Sequence, residues 1–189
     1  LIINMETLSS RKILGVKMMS INFYKFFFRD KKWKFWKTNK ELESYGEYIT
    51  PFPQGMPYQI EPNSIAHTGD QKHAIDFLVP EGTYVIAPRK GKILKIVDHF
   101  SGGGPYEFYA DSCNYIIMDH GEGETSIMMH LKQNSSFVQE GQVVPICRLL
   151  AMQVSTGLTY EPHIHFAVCR NGKTVKIRFG NWVRLIKQG

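Results

Sequence analysis

The chain has 189 residues, enough for one core of ordinary domain size plus an appendage. Hydrophobic residues make up 43% and charged residues 21%, which excludes collagen-like, disordered and disulfide-scaffold classes. The net charge of +6 points to an anionic partner only until it is divided by region: residues 1–40 carry ten Lys/Arg against Glu6 and Asp30, a net of +8, so the rest sums to −2. The globular part does not read as a polyanion binder, and no nucleic acid is expected as its partner.

Residues 1–44 read as a basic, aromatic N-terminal arm. Within it, Phe23 to Trp36 (FYKFFFRDKKWKFW) sets eight aromatics among basic residues. An interfacial membrane segment, a single-strand nucleic-acid surface and an irregular arm laid on the domain all fit. The last is favoured, because helical positions do not separate the aromatics from the charges. An arm of this kind can touch an anionic wall or membrane surface. No run of about 18 apolar residues occurs, so a transmembrane helix is not expected. The apolar stretch Ile21 to Phe28 is interrupted by Lys25 and has no small-residue cleavage site after it, so no clear signal peptide is read.

Residues 45–63 form a Pro/Gly-rich lead-in with Pro51, Pro53, Pro57 and Pro62. From 64 to 180 the pattern becomes short β-rich runs between Gly, Pro and Asp: AIDFLV, TYVIA, GKILKIV, NYIIMDH, TSIMMHL, QVVPI, HIHFAVC and TVKIRF. Helical periodicity is nearly absent, and the spacing of the runs predicts an all-β barrel or sandwich. GTYVIAPRKGKI and SSFVQEGQVVPICRL share a shape, strand, turn, strand, that suits hairpins folding over one another. Residues 181–189 are left as a C-terminal tail. Cys113, Cys147 and Cys169 are odd in number and widely spaced without a CxxC pair, so they read as buried free thiols.

Seven histidines are present. His163 and His165 flank Ile164 in a strand-like run, so both imidazoles project to one face, about 6.6 Å apart at roughly 3.3 Å per residue. Such a pair can hold a metal together, can place one ring on a metal and one beside its water, or can be a solvated polar face. Asp76 lies in the otherwise apolar AIDFLVP, where an unpaired carboxylate is costly to bury; it is either salt-bridged or cation-binding. A catalytic zinc site has three protein ligands. His73, three residues before Asp76, points to the opposite face of an extended run, whereas His67 comes from a turn, so His67 is favoured as third ligand. His130 ends an apolar run and reads as a core histidine or as an acid/base near the metal's water. His120 reads as structural, and His99 carries no signal.

Taken together, PFPQGMPYQI, AHTGDQKHAIDFLVPEGTYVIAPRKGKI, NYIIMDHGEGETSIMMHL, SSFVQEGQVV and EPHIHFAV resemble the lysostaphin-type (LytM-like) zinc metallopeptidases, which cut peptide cross-links in bacterial cell walls. The likeness runs from about Pro51 to Phe179. It implies a single antiparallel β-sheet or barrel-like domain of the lysostaphin (duplicated hybrid motif) type. It also implies one Zn2+ per chain on His67, Asp76 and His165, and His130 and His163 as catalytic histidines. The resemblance further implies a metalloendopeptidase with a peptidoglycan peptide as substrate and an extracytoplasmic location. The other reading is a catalytically weak or inactive peptidoglycan-binding or activator module of the same fold; retention of all five polar positions favours the enzyme. Two departures are expected at the rim of the cleft: Met128 where the family usually has an aromatic, and VPICRLLAMQVSTG, which keeps only the final STG of a Gly-rich segment.

Overall fold

The β-rich runs become strands in the computed structural model, which describes residues 42–61, 64 and 66–188. The basic aromatic stretch before residue 42 lies outside the described residues. In chain order the elements are β1 (Glu43–Tyr48), β2 (Gln59–Ile60), β3 (Ile75–Leu78), β4 (Tyr84–Ile86), β5 (Gly91–Val97), β6 (Gly103–Gly104), β7 (Tyr115–Asp119), β8 (Glu124–Met129), β9 (Val143–Val144), β10 (Leu149–Met152), β11 (Gly157–Leu158), β12 (His163–Arg170), β13 (Lys173–Thr174), β14 (Lys176–Phe179) and a terminal helix α1 (Trp182–Gln188). The all-β expectation holds. One antiparallel sheet dominates, in the order β2-β3-β12-β8-β7-β5-β9, with β13 added to β12. Three two-stranded ladders surround it: β4 with β10 is antiparallel, while β1 with β14 and β6 with β11 are parallel.

The two look-alike stretches do not form separate hairpins. β4 pairs with β10 and β5 with β9, so each stretch satisfies its backbone on the other. The corners explain this. Pro88 and Pro145 have no N–H to continue a ladder and turn each chain between its strands. The exchanged bonds Ala87 N to Arg148 O and Cys147 N to Ala87 O tie the two corners together.

β12 is the middle of the molecule and is buried on both faces. Ile164, Phe166 and Val168 enter the main core with Tyr48, Phe77, Ile93, Met118, Met128 and Leu150. Each such side chain contributes about 1.5–3 kcal/mol on burial. Ala167 and Cys169 point the other way, into a smaller cluster with Ala74, Tyr115 and Ile127. Period-two alternation therefore places His163 and His165 on that second face, above the smaller cluster.

Met128 departs from its expected place. It is fully buried in the main core, on the side of the sheet away from His165, because β8 alternates in register with β12: Met128 opposes Phe166, and Met129 opposes His165. The Pro145–Gly157 segment is also built inward, with Leu150 and Ala151 in the core as part of β10.

β1 carries little sequence signal because its inward positions are Ser44, Gly46 and Tyr48 rather than an apolar series. Its anchor is Glu124, wholly buried at the start of β8. The carboxylate accepts from the backbone N–H of Tyr45 (2.7 Å) and Gly46 (3.1 Å), from the Tyr48 hydroxyl (2.9 Å) and from Arg89 (3.2 Å). A side chain on Gly46 would run into the Arg89 guanidinium and push it from its place against Glu124. Cys113 and Cys169 are buried free thiols, and Cys147 is a free, part-buried thiol. Among the described residues, no helix is long and apolar enough to cross a membrane.

Candidate metal centre

Strand register brings the first two metal-ligating candidates together. Asp76 on β3 lies directly opposite His165 on β12, and the carboxylate Oδ1 stands 2.8 Å from His165 Nδ1. His67, from the turn before β3, aims Nε2 at the same oxygen from 3.1 Å and lies 3.4 Å from His165 Nδ1. These three atoms form the one group of metal-ligating side chains of this kind among the described residues. A tetrahedral zinc with bonds of about 2.0–2.1 Å has ligand atoms about 3.3–3.4 Å apart. The three separations run from 2.8 to 3.4 Å, so the atoms need to part by no more than about half an ångström to reach that spacing, and the donor set, two imidazoles and one carboxylate, suits zinc.

The polar surroundings of Asp76 are unusual for a buried acid. It is 6% exposed, and among the described residues its carboxylate meets ring nitrogens rather than a backbone N–H, lysine or arginine. Burial opposes its charge. Hydrogen bonds from His165 and His67, joined by the charge of the neighbouring histidines when these are protonated, outweigh burial and hold the carboxyl far below the ordinary carboxylate range.

Two further imidazoles complete the constellation. His163, two residues before His165 on the same face, places Nε2 3.8 Å from Asp76 Oδ1. Its Nδ1 lies 2.8 Å from the Glu161 carbonyl, so Nδ1 carries the proton and Nε2 keeps its lone pair. His130 stands just past β8 in the left-handed region, φ 64°, where non-glycine residues are rare. Its Nδ1 lies 2.7 Å from the Thr156 carbonyl, which leaves Nε2 as the acceptor there too. The two rings meet with centroids 4.3 Å apart, and His130 is 6.5 Å from His165. Burial, then the neighbouring His163, pushes His130 down to about 3; burial is also the main cause lowering His163. Both rings are therefore neutral near pH 7, the form that accepts a proton.

Of the residues proposed from sequence, His67, Asp76, His130, His163 and His165 converge. His73 is not in the metal-ligating group; its backbone amide donates to Thr174 Oγ1. His120 bridges the Lys90 carbonyl and Ser126 Oγ and meets the Tyr48 ring edge-on, as a structural residue would. His99 packs on Phe100. The sequence reading missed the groups that orient the histidines. Thr156 lies in the retained STG and was open to notice. Glu161 acts through its carbonyl, which any residue supplies.

An all-β domain with a His/His/Asp cluster and two carbonyl-anchored histidines beside it has the side chains of a candidate metal centre. The peptidase family M23 profile matches residues 70–177, more than half of the chain, and the chain belongs to that family. This bears out the likeness to lysostaphin-type peptidases. The matched span holds Asp76, His130, His163 and His165, while His67 lies just before it. A relative from Haemophilus influenzae, described as an uncharacterized metalloprotease, is 28% identical over 134 residues, 71% of this chain and 25% of that protein. The chain thus spans about a quarter of that curated relative's length. Among solved structures, the M23 metalloprotease pseudoalterin from the deep sea superimposes with TM-score 0.52 at 21% identity, covering 70% of this chain and 76% of that one. A zinc-containing peptidase from Vibrio cholerae gives 0.51 at 21% identity, over 75% of this chain and 40% of that one. These two likenesses concern the fold.

Proposed function

We propose that this protein is a zinc-dependent endopeptidase that hydrolyses peptide bonds in bacterial peptidoglycan cross-links, acting outside the cytoplasm through a catalytic domain spanning residues 64–180. The observation that carries the reading is the meeting of three ligand atoms with two imidazoles whose Nδ1 atoms are already committed to backbone carbonyls. The substrate class rests on the motif likeness to lysostaphin-type enzymes.

His67, Asp76 and His165 would hold the ion. When bound, zinc supplies Lewis-acid polarisation of a carbonyl and a water of lowered pKa. The chain's own residues do the proton work. A neutral Nε2 on His163 or His130 takes a proton from the attacking water and returns it to the departing amine nitrogen. The second imidazole, when protonated at Nε2, donates to the oxygen of the scissile carbonyl as charge builds there. Peptide and water thus become a carboxylic acid and an amine, which ionise to a carboxylate and an ammonium with no other reactant.

His163→Ala and His130→Ala are expected to keep one zinc per chain and lose cleavage of muropeptides followed by mass spectrometry. Loss of zinc from both variants would overturn the roles. Intact muropeptides from every sacculus type offered to zinc-loaded protein would favour a binding or activator module instead.

A further inference from the structure

We infer that Asn114 and Thr156 are positioning residues for His130, a pair that fixes which nitrogen of that imidazole is free and where it aims. The inference rests on the proposed role of His130 for its effect on catalysis, though not for its structural content.

His130 has two needs that its own strand does not meet. Its backbone is left-handed, a conformation that costs on the order of 1 kcal/mol or more and persists only where neighbours enforce it. The residue is 7% exposed, so Nδ1–H requires a buried acceptor. Thr156 provides that acceptor through its carbonyl at 2.7 Å. The Thr156 carbonyl must in turn be held. Thr156 Oγ1 donates to the Leu131 carbonyl at 2.9 Å, so the residue after His130 and the residue that holds its ring are locked to each other.

Asn114, with no exposed surface, closes the circuit. One amide hydrogen goes to the same Leu131 carbonyl at 2.9 Å and the other to the Phe100 carbonyl at 2.8 Å, while Oδ1 accepts the Phe100 N–H at 2.9 Å. These partners allow one amide orientation only, since two carbonyls need donors and one N–H needs an acceptor. The Asn114 backbone adds Leu131 N to its own O (3.3 Å) and its own N to Thr156 Oγ1 (3.4 Å). The left-handed turn at His130 is thus fastened on the β7 side by Asn114 and on the β11 side by Thr156. The bond from Val154 N to the His130 carbonyl (2.9 Å) completes the brace.

The brace acts on catalysis through tautomer and aim rather than through contact with substrate. Groups that orient a working histidine in this way are worth roughly 10- to 100-fold in activity. Thr156→Val keeps the shape and the backbone carbonyl but removes Oγ1; Thr156→Ser retains that oxygen. For zinc-loaded protein we expect Thr156→Val to lower kcat on muropeptides about 10- to 100-fold with KM and zinc content near wild type, and Thr156→Ser to restore most of it. Asn114→Ala should do the same as Thr156→Val if it folds. Imidazole nitrogen NMR of the folded protein reads the geometry independently: wild type shows His130 as a single Nδ1–H tautomer, and Thr156→Val shows a mixture or the Nε2–H form. A Thr156→Val protein with unchanged kcat and an unchanged His130 tautomer would overturn the inference. An inactive wild type that still shows the tautomer shift on Thr156→Val would sink the peptidase reading and leave the brace standing.

Discussion

Among the described residues, two acidic side chains are buried, and they are finished in opposite ways. Glu124 meets donors that cannot leave or change: two backbone N–H groups, a tyrosine hydroxyl and a guanidinium. Asp76 meets imidazoles, each with a lone pair available on one nitrogen or the other, gathered on one oxygen. A buried carboxylate closed by fixed donors is part of the architecture. One closed by tautomeric rings remains able to exchange those contacts for a cation, since the same nitrogens that donate to it can ligate a metal.

Removing each carboxylate separates the two most sharply. Asp76→Ala is expected to abolish zinc binding and muropeptide cleavage together while the protein stays folded, as read by metal analysis and circular dichroism. Glu124→Ala should keep its zinc but lose about 1–3 kcal/mol in urea unfolding, because the half-buried Arg89, the Tyr48 hydroxyl and the β1 amides lose their common acceptor. A Glu124→Ala protein of wild-type stability would erase the distinction.

Acid tests both regions through a neutral histidine in each, half-buried His120 in one and buried His130 in the other. Burial lowers His120, beside Tyr48, to about 4 and His130 to about 3. The unfolded chain takes up protons below about 6.5 that these folded rings refuse, so stability falls as pH drops from there toward their folded values. Metal-free protein should lose up to about 1.4 kcal/mol per pH unit for each ring between pH 6 and 4. His120→Gln and His130→Gln should each flatten urea-derived stability against pH; an unchanged slope would contradict the burial argument. Asp76 acts lower on the scale: its depressed carboxyl stabilises above about pH 4, with that contribution lost as pH falls further toward its folded value.

The smallest effect belongs to Met128. Met128→Leu should change stability by less than about 1.5 kcal/mol and leave KM unaltered, since the side chain sits in the main core. A changed KM would return it to the cleft.

The sequence made the site more legible than the frame around it. HIH on a strand and an acid inside AIDFLV state their faces by alternation, and β3, β5, β7, β8 and β12 all rise from apolar runs. β1 escaped notice because its inward face is Ser44, Gly46 and Tyr48, paid for by a glutamate 76 residues away from Tyr48. The exchange of partners between the two look-alike stretches depends on corners, which local patterning does not encode. The carbonyl anchors of His130 and His163 are backbone groups and leave no mark in residue identity.

Zinc titration of metal-free protein, wild type beside Asp76→Ala, tests the central claim most directly. The account predicts one zinc per chain for wild type, with muropeptide cleavage appearing in proportion, and none for the variant. Equal zinc uptake by the two proteins would contradict it.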